Sequence, residues 1–198
     1  MDDEVAATLR RDPVMEQLIA RFGRLTVTPA ENPFRRLCVS ILNQQLSTAS
    51  AAAIRKRAFD VVGDEVTPAG VPVADPDRLT EAGVSRAKVK YLRSVAEASE
   101  TGEPALTRTA LADRDDEAVV EALTRFHGVG EWTARMYLIF ALGREDVLPL
   151  GDLAVRKGIE TLYADGDDLT RTEMREIAEA WRPYRSYGTR YVWAAYES

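Results

Sequence analysis

Thiols are almost missing from this chain, in which Cys38 is the single cysteine. One thiol excludes an internal disulfide and any zinc site or cluster built on several thiolates, and it suits a reducing cytoplasm. Histidine is as scarce: His127 stands alone, and nothing near it completes a catalytic triad or a zinc-ligand spacing. No apolar run is long enough to span a bilayer, so no membrane association is expected. The opening MDDEVAATLRRD is polar and acidic, unlike a signal peptide.

Basic charge is also in deficit, with 26 Lys and Arg against 32 Asp and Glu and a net charge of −6. That balance argues against a protein that coats nucleic acid, but not against one that grips a few phosphates locally. The basic residues are unevenly placed. Arg86, Lys88, Lys90 and Arg93 fall in a stretch from Ala82 to Ala96 without an acid, and Arg182, Arg185 and Arg190 recur among aromatics. The acids collect at Met1 to Glu4, Asp113 to Glu121 and Asp165 to Asp168. With 198 residues, 45% of them hydrophobic, the chain can bury one large core or two small lobes.

Sheet-forming pattern is nearly absent, because the one strand-like run, Arg24 to Thr28, is too short to build on. The periodic segments read as helix. Met15, Leu18, Ile19 and Phe22 make one apolar face stopped by Gly23, and a second segment runs from Pro33 through Leu42. Ser47 or Thr48 can cap an alanine-rich helix to Val62, and residues 64 to 78 read as loop. Short helices near 78–82 and 86–99 follow. Asp113 or Asp115 caps DEAVVEALTRF, EWTARMYLIFALG forms the next helix, and helices follow from Asp152 to Tyr163, from Arg171 to Trp181 and in the C-terminal aromatic segment. The fold class is all-α.

Between two of these helices lies Phe126-His127-Gly128-Val129-Gly130. Glycines at 128 and 130 permit positive φ and leave backbone N–H groups uncovered where the next helix presents its positive end. Such amides, with the Thr133 hydroxyl, can hold a phosphate without adding formal charge. A bare GxG also serves as an ordinary corner between helices, with His127 a turn residue. Downstream, Asp152 follows LPLG at a helix start. It reads as a simple cap, and equally as a carboxylate kept ionised by the helix dipole.

The run LTRFHGVGEWTARMYLIFALGREDVLPLGDLAVRKG resembles the helix-hairpin-helix–Gly/Pro-Asp superfamily of DNA glycosylases, and within it the alkyladenine branch typified by 3-methyladenine DNA glycosylase II. DPVMEQLIARFG, NPFRRLCVSILNQQLSTASAAAI, GVSRAKVKYLRSVAE and WRPYRSYGTRYVW are similar to successive blocks of that branch, so the likeness runs from about residue 11 to 196.

This resemblance implies two helical lobes, residues 31–141 and residues 1–30 with 142–198, with a DNA-binding cleft between them and the hairpin at the junction. It implies that Asp152 is the catalytic carboxylate, and that Gly128, Val129, Gly130 and Thr133 anchor the DNA strand, with a monovalent cation conceivable at the Phe126 and Gly128 carbonyls. Trp132 stands where glycosylase/lyase members carry a Schiff-base lysine, which implies hydrolysis without a lyase step. Lys157 and Lys88 are the nearest alternatives in sequence, but neither matches that position. Trp132, Tyr184 and Gln44 are implied to line the pocket for the flipped base, Gln45 or Leu46 to wedge the duplex, and Ser85 and Lys88 to contact phosphate. Trp181 and Trp193 read as core. The partner is double-stranded DNA bearing a damaged base, the protein a nucleoid-associated monomer without cofactor or iron–sulfur cluster. Three rival readings remain: a non-catalytic hairpin module, a glycosylase/lyase for oxidised or mismatched bases, and a protein-interaction scaffold.

Overall fold

The computed structural model describes residues 1–46, 48–63, 65–101 and 106–198. In chain order the helices are α1 (Asp3–Leu9), α2 (Pro13–Phe22), α3 (Pro33–Asn43), α4 (Thr48–Val62), α5 (Gly70–Val73), α6 (Pro76–Glu81), α7 (Arg86–Thr101), α8 (Arg108–Leu111), α9 (Asp116–Thr124), α10 (Glu131–Tyr137), a π-helical continuation (Leu138–Leu142), α11 (Leu153–Tyr163), α12 (Arg171–Glu179) and α13 (Arg185–Tyr196). No strand forms among the described residues, and Arg24 to Thr28 is irregular. None of the described helices is long and apolar enough to cross a membrane.

Local chemistry starts most of these helices. Asp12, Asn32 and Asp75 each cap a helix whose first residue is proline, so a side-chain acceptor and a pre-set φ act together. Asp115, rather than Asp113, caps α9 by accepting the Ala118 N–H at 2.7 Å. The Ser47 cap expected for α4 lies outside the described residues. The acidic N-terminus, not assigned to an element above, is helical, because Asp2 caps α1 and Val5 and Leu9 are buried. One expectation needed correction. Within the expected loop 64–78, α5 forms and buries Val71.

The chain divides into two compact units, Ala30–Leu142 and Met1–Pro29 with Gly143–Ser198. In the first, α3 packs against α10 and α7, with Leu37, Ile41, Val119, Leu123, Tyr137 and Leu138 buried. Cys38 is buried there, which pushes its thiol up to about 12 and removes thiolate chemistry at neutral pH.

In the second unit α11 packs on α13. Their contact is close: a Cβ added at Gly158 would stand 2.5 Å from Val192 Cγ1. Asp12 tethers the end of α11 to the segment before α13, since its Oδ2 accepts from Tyr163 Oη at 2.6 Å and from Trp181 Nε1 at 2.9 Å. These contacts fix α11, whose N-cap is Asp152.

Candidate active site and nucleic-acid interface

Asp152 is half-buried at the N-cap of α11. Its Oδ1 accepts the Val155 N–H at 3.0 Å and the Trp193 indole N–H at 3.1 Å. Arg156 Nη1 donates to the Leu150 and Asp152 carbonyls at 2.9 and 3.3 Å, bracing the turn that delivers the carboxylate. Two donors fixed on one carboxylate oxygen hold the group in a single orientation. Trp193, read from its periodicity as core, is half-buried against the core of this unit and in addition bonds Asp152 through its indole N–H. Helical spacing gave no sign of this bond, because the two residues are 41 apart in sequence and meet through the packing of α11 on α13.

Tyr184 begins α13 and is half-buried. Its hydroxyl donates to Glu4 Oε1 at 3.1 Å, and its ring stands edge-on to Tyr187 at 6.1 Å. Arg185 binds Asp146 through Nε at 2.6 Å, fixing the start of α13 beside the connector that precedes Asp152.

At the hairpin, Gly128 has φ +86 and faces the Tyr91 ring so closely that a Cβ would lie 2.0 Å from Tyr91 Cγ. His127 lies in the turn itself, and its ring meets Tyr91 edge-on at 5.0 Å. Gly130 differs from expectation. Its φ is −91, so it needs no left-handed freedom, and it caps α10 without a side-chain hydrogen bond. An added Cβ there would meet nothing within 4 Å. What glycine leaves at 130 is open space beside the start of α10. The Glu131 carboxylate there pairs with Arg135 at 2.9 Å.

Other hairpin candidates turn inward. Val129 is 4% exposed and its N–H goes to the Phe126 carbonyl at 3.0 Å, so neither its side chain nor its amide is free for phosphate. Thr133 is 1% exposed, and its Oγ1 accepts Gln44 Nε2 at 2.9 Å. Gln44 Nε2 also donates to the Gly128 carbonyl at 2.9 Å. Expected to face a base pocket, Gln44 instead spends its amide nitrogen on the underside of the hairpin. The Phe126 and Gly128 carbonyls each accept one protein donor, the Val129 N–H and Gln44 Nε2 respectively.

Lys88 is likewise redirected. Its Nζ donates to the carbonyls of Leu42 and Gln44 at 2.8 and 2.6 Å, closing the C-terminus of α3 rather than reaching for DNA, and burial lowers its pKa. Ser85 caps α7 by accepting the Lys88 N–H at 3.3 Å. The turn Lys88 closes carries Gln45 at φ +56, a left-handed conformation rare outside glycine, with Gln45 and Leu46 exposed. Trp132 is half-buried in the first turn of α10. Lys157 binds Glu160 at 2.7 Å and Asp168 at 3.2 Å, and both carboxylates raise its pKa, which suits a surface ion-pair lysine better than a Schiff-base nucleophile.

The model of the HhH-GPD superfamily of base excision DNA repair proteins matches residues 38–183, spanning hairpin and aspartate alike. The chain belongs to this superfamily. Among its HhH-GPD relatives, DNA-3-methyladenine glycosylase 1 of Schizosaccharomyces pombe is 31% identical over 82% of this chain and 72% of its own length. A solved S. pombe 3-methyladenine DNA glycosylase in complex with abasic DNA superposes with a TM-score of 0.86 at 28% identity, covering 96% of this chain and 95% of that one. A DNA-3-methyladenine glycosidase of Bacillus halodurans gives 0.81 at 34% identity, covering 100% and 90%.

Proposed function

We propose that this HhH-GPD chain is a DNA glycosylase of base excision repair that hydrolyses the N-glycosidic bond of alkylated purines, of the 3-methyladenine and 7-methylguanine type. The observation that carries the reading is Asp152, fixed at the start of α11 with Oδ1 held by the Val155 N–H and the Trp193 indole, in a chain similar to named 3-methyladenine glycosylases.

The chemistry follows from that carboxylate. In an alkylated purine the ring already bears positive charge, so the C1′–N bond breaks with its electron pair passing to the base, which leaves neutral without a proton donor. Positive charge develops at C1′ of the sugar, and the Asp152 carboxylate stabilises it. Water then adds its oxygen to C1′ and gives up a proton, leaving an abasic site. The target nucleotide must be extruded from the duplex first. On this reading Trp132 and Tyr184 each offer an aromatic face to an electron-poor methylated base, and the exposed Gln45 and Leu46 fill the vacated stack. The α10 amides at Gly130 hold a backbone phosphate.

The test is release of free base from methylated duplex DNA, with hypoxanthine and uracil duplexes alongside. Release of 3-methyladenine or 7-methylguanine, with no covalent adduct after borohydride treatment of abasic DNA, is expected. Absence of release would overturn the reading, and a trapped adduct would replace hydrolysis with a lyase mechanism.

A further inference from the structure

Between α3 and α4 lies a cavity of about 620 Å³ whose lining includes Arg35, Arg36, Arg55, Lys56, Phe59 and Asp60. Four cations against one carboxylate is an unusual concentration in a chain of net charge −6. Among the described residues, none of the four lies within 4.0 Å of a carboxylate. Aromatic rings orient two of them instead. Arg35 Cζ stands 4.5 Å from the Phe59 centroid and Arg36 Cζ 4.5 Å from the Phe140 centroid. Stacking fixes the plane of a guanidinium and leaves its N–H edge available for an oxyanion. Burial and the neighbouring Arg55 draw Arg36 down to about 10, a like-charge pressure that a bound anion would relieve.

We propose that this cavity is a second phosphate-binding pocket, which receives a backbone phosphate of the DNA through Arg36 and Arg55, with Arg35 and Lys56 at its rim. The proposal rests on the glycosylase reading. Continuity with the hairpin favours DNA over a free phosphate compound. Arg55 Nη1 donates to Asn43 Oδ1 at 2.5 Å, and the adjacent Gln44 is bonded to the Gly128 carbonyl. From Asn43 back to Arg36 along α3 is about 10 Å at 1.5 Å per residue, roughly the rise of three nucleotides. Phe59, the one aromatic lining residue, is already covered by Arg35, so the cavity offers no free face for stacking a base. Its contact would be blind to sequence. The sequence alone did not reveal the cluster, because its cations come as two pairs on different helices.

The experiment compares wild type, Arg36→Gln/Arg55→Gln, and Arg175→Gln as an equal-sign charge control on α12, binding an abasic-analogue duplex over a range of salt. The double variant is expected to bind about tenfold more weakly, with the slope of log K against log salt shallower by about one, the mark of one lost phosphate contact. Arg175→Gln should leave both unchanged. Lys56→Glu, at an exposed position where folding is not at stake, should weaken binding in the same direction even if the double variant folds poorly. Equal affinity and slope in wild type, the double variant and Lys56→Glu would overturn the pocket while leaving the glycosylase reading intact. Failure of wild type to bind the duplex at all would overturn both. Inorganic phosphate, titrated by calorimetry, separates the sources: tight binding to wild type without any change in DNA affinity among the variants would assign the cavity to a free anion and defeat the DNA proposal.

Discussion

At the start of α11 the Asp152 carboxylate accepts the Val155 N–H, whereas at the start of α10 Gly130 brings no side chain to the first-turn amides. Both are helix N-termini following a glycine-containing turn, and both present the same partial positive charge. One carries its own anion. The other has none of its own, and the proposed function gives its amides a DNA phosphate. On that reading a single backbone device serves two opposite electrostatic tasks, and the residue at the cap decides which.

The sharpest way to break this contrast is Asp152→Asn. Asparagine caps a helix about as well as aspartate, so folding and DNA binding should persist while single-turnover base release slows by roughly two to four orders of magnitude. Equal release rates for the two proteins would remove Asp152 from the chemistry. Gly128→Ala should act on the fold instead. Both its positive φ and the Tyr91 ring oppose a side chain, and urea unfolding should report a loss of about 2 to 4 kcal/mol. A Tyr91→Ala background should return only the steric share.

Gly130→Asp makes the start of α10 imitate that of α11. Thermal stability should hold or rise slightly, since aspartate caps a few tenths of a kcal/mol better than glycine, yet affinity for an abasic-analogue duplex should fall about thirtyfold through lost amides and added repulsion. Unchanged affinity would mean that these amides hold no phosphate. Trp193→Phe keeps an aromatic ring but deletes the indole N–H, so the rate at saturating DNA should drop about tenfold, the worth of one hydrogen bond to a charged group, with little change in DNA affinity. A matching loss of affinity would assign Trp193 to packing rather than to positioning Asp152. The mildest change, Gly130→Ala, adds a methyl group into open space and should weaken binding about threefold, equally across sequences.

The helices, the hairpin and the aspartate were legible because each is a local pattern: an apolar period, a pair of glycines, an acid before a helix. The inward or outward sense of polar atoms was not. Thr133, Lys88 and Gln44 carry the right chemistry for DNA, but the fold uses them on its own carbonyls and hydroxyls, and the partner of Gln44 lies 84 residues away. Trp193 was legible as core but not as a donor, since what its indole N–H meets depends on how α13 packs on α11. Local spacing selects the face of a helix. Only tertiary packing decides what that face meets.

Cys38 has a practical corollary. With the native sulfhydryl sealed and its ionisation suppressed, any cysteine engineered onto the surface becomes the sole reactive handle at mildly alkaline pH. Leu46→Cys, at a position 37% exposed, would therefore allow disulfide crosslinking to a thiol-tethered duplex without first stripping the protein of background reactivity.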